Sequence, residues 1–318
     1  MRDANSIRSF VFHDCDAYFD AIEHVNVRFT LQGLESNIWR INGLALPRGV
    51  DVQYCRSGSG SIAQGVSRDG GLELALPITG QYTANAKPVP WESALCIAPG
   101  SEFLASIPNA HSWFGIFVPE AMAISSGMLA KSADLARIRT HVRRNAAQGK
   151  ASVTLLLKRF FANVLAAPEI SKSKQALGRF ETELLSVLGK AYGQSSESTR
   201  KNPGRVPIVG HRVVRHALDV IESSPEPTVS MSELVEIADV SERSLRAGFR
   251  KHLGMSPARY MQLRTLNRAQ RRLASSRPGE VSVAEIATDL GVWDLGRFAA
   301  RYRRLFGELP SSTLRRSR

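Results

Sequence analysis

The last third of the chain carries one short pattern twice, and a repeat of that kind leaves few folds open. Ser230-Met-Ser-Glu233 sets a serine at a helix start and a glutamate three residues on, the reciprocal capping box. After a short turn, Ser241 is placed to cap a second helix over 242–252, and Leu253-Gly254 closes it with a residue suited to a left-handed stop. The same grammar returns at Ser282-Val-Ala-Glu285, which opens a helix over 283–290. Gly291-Val-Trp-Asp294 is then the turn and 295–305 the second helix. Gly307 ends it, and Pro310 is read as preventing its renewal. Two short helices with a tight turn between them are the helix-turn-helix layout, here in tandem. Ahead of the pair, 211–223 reads as an amphipathic helix through Val214, Leu218 and Ile221; between its members, Pro257 starts a long helix to about Ser275.

Each second helix has two unlike faces when laid out at 100° per residue. Leu245 and Phe249 point one way, while Arg243, Arg246 and Arg250 point the other. In the repeat, Leu295, Phe298, Tyr302 and Leu305 form the inward stripe, and Arg297, Arg301 and Arg304 stand opposite. An apolar back with an arginine front suits a helix lying in a DNA major groove, where a bidentate Arg–guanine pair gives about 1–3 kcal/mol of discrimination. A connecting helix of about 18 residues spans about 27 Å, long enough to set two readers in successive groove turns roughly 34 Å apart. Its Arg259, Arg264, Arg268, Arg271 and Arg272 read either as phosphate contacts or as solvated charge.

Charge agrees with this placement. The chain of 318 residues has a net charge of +13, and residues 205–318 hold 20 basic against 12 acidic residues, 19 of the 20 being arginine. A surplus of this size implies a polyanionic partner, and Arg matches phosphates and guanine edges better than Lys does. A GC-rich genome would inflate Arg as well.

The first 120 residues read mainly as strands, at 25–31, 37–46, 52–55, 72–78, 94–97 and 113–118, with one helix over 15–24. Ser-Gly-Ser-Gly-Ser at 57–61 and Arg-Asp-Gly-Gly at 68–71 read as hairpin turns, so a small sandwich or barrel is expected. From about Glu120 the pattern turns helical, with Leu155, Leu156, Phe160 and Val164 in one stripe and Leu177, Phe180, Leu184 and Leu188 in another. These stripes either pack on their own domain or form a dimer seam. Residues 193–204 have no large apolar side chain and read as a linker.

From about 211 to 316 the sequence resembles the AraC/XylS family of bacterial transcription regulators. The resemblance is carried by Ser241-Glu-Arg-Ser-Leu-Arg-Ala-Gly-Phe249, Gly254-Met-Ser-Pro257, Tyr260, Val283-Ala-Glu-Ile-Ala287, Gly291-Val-Trp-Asp-Leu-Gly-Arg-Phe298 and Tyr302-Arg-Arg-Leu-Phe-Gly-Glu-Leu-Pro310-Ser311. It implies a seven-helix DNA-binding domain, promoter DNA as partner and activation through RNA polymerase. It also implies an N-terminal effector-binding or dimerisation domain, often a cupin-like barrel with trailing helices. The fold class expected is therefore multidomain α+β. Residues 1–193 form the sensing or dimerising part (helical over 121–193), 194–208 a linker, and 209–318 an all-α tandem helix-turn-helix domain. In this family the base-contacting positions of the first reader correspond to Arg243, Arg246 and Ala247, and those of the second to Gly296, Arg297 and Ala300. Ser241, Arg250, Arg301 and Arg304 complete the expected DNA-facing set. Many members carry Arg at the positions of Ala247 and Ala300. The usual Gly-Phe turn of the second unit is Gly291-Val292-Trp293 here, and Val235 stands where a small Ala is typical.

Other functions find less support. A metal cupin enzyme needs clustered His and Glu ligands, whereas His13, His24, His111 and His141 are separated and no His-x-His occurs. No GxSxG or P-loop motif is present, and no enzyme, cofactor or metal is expected. Cys15, Cys55 and Cys96 are too few for the four-cysteine zinc site of the DNA-repair methyltransferase that carries a related tandem unit, and read as buried thiols. A nucleoid-type binder without sequence preference would need only the charge. Trp39, Trp91, Trp113, Tyr54, Phe103 and Arg40 read either as core or as the lining of an effector pocket. Acids near the N-terminus, where a signal peptide would need an apolar run, and the lack of a spanning segment lead to a cytoplasmic expectation.

Overall fold

The computed structural model describes residues 7–129, 140–144, 147–193, 208–224 and 229–316. Most of the expected linker, 194–207, therefore lies outside the described residues. Two antiparallel sheets make up the N-terminal part. In the larger, the spatial order is β1 (Arg8–Phe12), β3 (Trp39–Ala45), β4 (Asp51–Ser57), β11 (His111–Pro119), β6 (Gly71–Thr79), β9 (Ser93–Ile97) and β12 (His141–Arg144). In the smaller it is β2 (Val25–Leu34), β5 (Ser59–Ser67), β10 (Glu102–Ile107), β7 (Tyr82–Ala84) and β8 (Lys87–Val89).

Period-two alternation decides what each face of the larger sheet meets. Leu72, Leu74 and Leu76 of β6, with Phe114, Ile116 and Val118 of β11, point outward beneath α2 (Glu120–Ser125), α3 (Ala147–Ala166) and α4 (Lys174–Tyr192). Leu95 and Ile97 of β9 point the other way and meet Ala63, Phe103, Ala105 and Ile107 of the smaller sheet. The α4 stripe of Leu177, Phe180, Leu184 and Leu188 is buried in this core; on α3 the buried row is Val153, Leu157, Phe161 and Val164, with Leu156 and Phe160 half-buried against the core. Leu155, expected on the inward stripe, is instead 57% exposed. The fully buried carboxylate of Glu181 fastens the helical layer to the sheet, accepting the Arg48 and Val50 backbone N–H groups and the Arg48 Nε.

Several strands escaped the sequence reading. The Gly-rich 57–61 segment is not a hairpin turn: β4 ends at Ser57, the chain pivots at Gly58, and β5 enters the other sheet. A Cβ at Gly58 would collide with the Ser36 carbonyl and one at Gly60 with the Pro108 carbonyl, so these glycines permit close backbone approach. The span 121–193 is not wholly helical either, because His141–Arg144 pairs with β9.

Beyond residue 207 every described element is a helix: α5 (Ile208–Ser223), α6 (Met231–Ala238), α7 (Glu242–Leu253), α8 (Pro257–Ser275), α9 (Val283–Asp289), α10 (Leu295–Phe306) and α11 (Pro310–Arg316). Pro310 does not stop the helical run; at the first position, where its missing N–H costs nothing, it opens α11.

The helical part is docked on the smaller sheet. Its edge strand β2 leaves backbone groups unpaired, and Asn267 of α8 takes the place of a neighbouring strand. The Asn267 Oδ1 accepts the Leu31 N–H (3.0 Å), while its Nδ2 donates to the Leu31 carbonyl (3.2 Å) and the Leu263 carbonyl (2.8 Å). Arg271 pairs with Asp16 and donates to the Phe29 carbonyl (3.1 Å). Ser106 donates to the Leu253 carbonyl (3.1 Å), and Arg215 pairs with Glu102. Between these polar points, Ile62 and Leu104 share one core with Val214, Leu218 and Leu253.

Candidate nucleic-acid interface

Two helix pairs, α6–α7 and α9–α10, are built from matching parts. Ser230 Oγ accepts the Glu233 N–H (3.1 Å) and Glu233 Oε2 accepts the Ser230 N–H (2.6 Å); Ser282 and Glu285 repeat both bonds at 3.1 and 2.6 Å. The reciprocal bonds hold the exposed Glu233 carboxyl below its ordinary range. Ser241 caps α7 through the Ser244 N–H (3.2 Å), and Asp294 caps α10 through the Arg297 N–H (2.9 Å). Each second helix has 12 residues and ends on a left-handed glycine, Gly254 (φ 73°) or Gly307 (φ 75°).

The backs of both second helices are buried: Leu245 and Phe249 on α7, and Phe298, Tyr302 and Leu305 on α10. Leu295 is the exception, for it leaves the inward stripe expected of it and is 41% exposed. All of the expected DNA-facing residues lie in solvent. Ser241, Arg243, Arg246, Ala247 and Arg250 are exposed on the first pair, and Gly296, Arg297, Ala300, Arg301 and Arg304 on the second. The docked N-terminal part covers none of them. A shallow depression of about 450 Å³ on α7 is lined by Glu242, Arg243, Arg246, Ala247 and Arg250.

Two arginines of these rows already carry an acidic partner. Arg246 Nε lies 2.8 Å from Glu242, one turn back, and Arg297 Nε lies 3.2 Å from Asp294. Exposed pairs of this kind contribute about 0–1 kcal/mol, so a competing anion would displace the acid at little cost. No carboxylate among the described residues pairs with Arg243, Arg250, Arg301 or Arg304. The α8 arginines divide differently. Arg264 is buried on the Glu222 and Ser224 carbonyls (3.4 and 3.3 Å), Arg271 serves the docking contact, and Arg272 pairs with Asp289 (2.7 Å). Those three are committed inside the protein.

The aromatic and histidine candidates of the N-terminal part do not converge on one pocket. Trp39 is buried beside Tyr18, Tyr54 packs on Phe114 at 4.7 Å under the helical layer, Phe103 belongs to the inter-sheet core, and Trp91 and Arg40 are exposed. His24, read as isolated, lies with Glu23 and Asp51, their ligand-type atoms within 4.8 Å of one another. There Arg8 already supplies the positive charge, at 2.9 Å from Glu23 and 3.5 Å from Asp51.

A polar group inside the sheets was not anticipated from sequence. Glu73 of β6 is 6% exposed, and its Oε2 has no hydrogen-bond partner among the described residues. Burial, with the Asp51 carboxylate beside it, pushes Glu73 well above the ordinary carboxylate range. The Cys55 thiol, beside the Tyr18 hydroxyl, is likewise pushed up by burial. A glutamate in an alternating strand normally reads as solvent-facing, and only its register between Phe117 and Ile97 shows otherwise.

No helix among the described residues is long and apolar enough to cross a membrane. A family profile described as "Helix-turn-helix domain" matches residues 234–316. The "XylDLEGF operon transcriptional activator 2" of Pseudomonas putida is 37% identical over 107 residues, 34% of this chain and 68% of that protein. A second P. putida relative, "XylDLEGF operon transcriptional activator 3", is 44% identical over 96 residues, 30% of this chain and 29% of its own length. A solved structure described as "a probable AraC family transcriptional regulator from Rhodopseudomonas palustris" is 30% identical, covering 34% of this chain and 98% of its own, with a TM-score of 0.32. The chain thus spans only about a third of the length of some of the activators it matches.

Proposed function

The chain belongs to the AraC/XylS family, and on that premise we propose that it is a sequence-specific DNA-binding transcription regulator that works as an activator. The observation that carries this reading is the pair of matching capped helix units whose arginine rows stay in solvent while the described sheets are docked away from them. In this reading α6–α7 and α9–α10 are tandem helix-turn-helix units, with α7 and α10 entering successive major grooves of promoter DNA. Arg243, Arg246, Arg297 and Arg301 read bases, Arg250 and Arg304 take phosphates, and Ser241, Ala247, Gly296 and Ala300 sit at the groove floor or wall. RNA polymerase is the partner through which activation runs. The N-terminal part is a cupin-like sensing domain, and the buried Glu73 near Cys55 and Trp113 is the polar group an effector would meet there.

The test starts from duplexes that the full chain selects out of random 40-mers, followed by footprinting. Arg246→Ala should weaken binding to the selected duplex by about 1–3 kcal/mol and leave binding to a scrambled duplex nearly unchanged. Equal losses on both duplexes would remove the base-reading role. Log affinity should fall linearly with log salt, by about 0.9 for each phosphate neutralised, and a flat response would contradict phosphate binding. Failure to enrich any sequence would favour a nucleoid-type binder.

A further inference from the structure

Trp293 is 81% exposed, the largest fractional exposure among the exposed large hydrophobic side chains of the described residues, and it immediately precedes Asp294, the cap of α10. Its indole stacks on no ring among the described residues, so most of its apolar surface is available to a partner. Its position is not arbitrary. It lies just ahead of the helix cap and borders the same cleft as Arg297 and Arg301, which follow at one-turn spacing on α10. The three line one cleft of about 440 Å³, whose opposite wall is formed by Met261, Gln262 and Thr265 of the connecting helix α8. Leu295, one residue beyond the cap and 41% exposed, extends the apolar surface at the same helix end.

We propose that Trp293 is a DNA-contacting residue. On this assignment the indole packs against the deoxyribose–phosphate wall and thymine methyl groups at the edge of the groove that α10 enters, and the cleft beside it receives the backbone between the two grooves. The inference rests on the DNA-binding reading above and adds an apolar contact to a surface otherwise described by its arginines. Three facts favour a nucleic acid here over a protein partner. The flanking side chains Arg297 and Arg301 are cationic. The one acid on the same wall, Asp294, is spent on capping and pairing Arg297. The end of a recognition helix that meets DNA is its N-terminal one, which is where Trp293 sits. A flat aromatic surface gains from stacking on sugars and bases without needing a particular hydrogen-bond pattern, so the contact strengthens binding and favours T at the step it touches.

The experiment uses the full chain and the duplex it selects from random 40-mers. Trp293→Ala should weaken binding about tenfold, whereas Trp293→Phe should lose less than about threefold. In a Trp91→Phe background, which removes the other strongly exposed indole, the selected duplex should protect the remaining fluorescence from acrylamide quenching. Footprints of Trp293→Ala should lose protection next to the second half-site alone. Unchanged affinity together with unchanged quenching would overturn the assignment. So would a Trp293→Ala chain that binds and footprints normally but no longer activates transcription, since that result assigns the indole to RNA polymerase. If the unsubstituted chain selects no sequence at all, the DNA-binding reading fails rather than this inference.

Discussion

Replacing Asn267 with alanine should lower the unfolding free energy of the full chain by about 2–4 kcal/mol, because it strips partners from two buried backbone groups at once. Asn267 is 5% exposed, and its carboxamide is the hydrogen-bond partner seen for both the Leu31 N–H and the Leu31 carbonyl across the docking contact. The alanine side chain can neither donate nor accept these bonds. The exposed Arg271–Asp16 pair next to it should matter much less, with Arg271→Ala costing about 1 kcal/mol or less. Urea unfolding followed by tryptophan fluorescence and by far-ultraviolet circular dichroism should give coincident curves for the unsubstituted chain, since an apolar core and several hydrogen bonds join the two parts. In Asn267→Ala the curves should separate as the helical part and the sheets begin to unfold independently. An unchanged midpoint would mean that the docking contact adds nothing to stability.

Glu73→Gln should stabilise the protein at neutral pH, with a gain that grows with alkalinity. The native state keeps the Glu73 proton over a range in which the unfolded chain has already released it. Unfolding in that range therefore releases a proton, and stability attributable to this side chain falls by about 1.4 kcal/mol per pH unit above the ordinary carboxylate range until the buried group ionises. Below that range both states are protonated and the penalty vanishes. This is the reverse of an ion-paired acid such as one held by arginine, which stabilises above its unfolded pKa. Glutamine keeps the shape and the neutral charge, so the variant should match the unsubstituted chain near pH 4 and exceed it at pH 7. Thermal or urea midpoints measured from pH 4 to pH 8 provide the check, and parallel curves for the two proteins would show that Glu73 ionises freely in the fold.

The helical third could be read almost entirely from residue order because its determinants are local. Ser230 with Glu233, Ser282 with Glu285, and the closing Gly254 and Gly307 act within one or two turns, and each forms the bond its spacing implies. Where the reading failed there, the cause was also local: Pro310 blocks a helix interior but suits a first turn, and Leu295 lies too near its helix end to be drawn into the core. The sheets were harder to read. The strand over Ser59–Ser67 is mostly Ser, Gly and Ala, with Ile62 and Val66 as its large apolar residues, so its composition resembles a turn, and Glu102–Ile107 lacks a clean alternation. The docking of Asn267 on Leu31 joins residues 236 apart in sequence, and no periodicity can announce it.

The two helix pairs repeat their caps and stops but differ in what they present, with Arg243, Arg246 and Arg250 on α7 and Arg297, Arg301 and Arg304, preceded by Trp293, on α10. They follow one another in a single polypeptide, and their exposed side chains are not the same. On the proposed DNA-binding reading, a site recognised by one copy has a head and a tail, so turning it around relative to a transcription start would present the wrong side of the bound protein even though every base contact is kept.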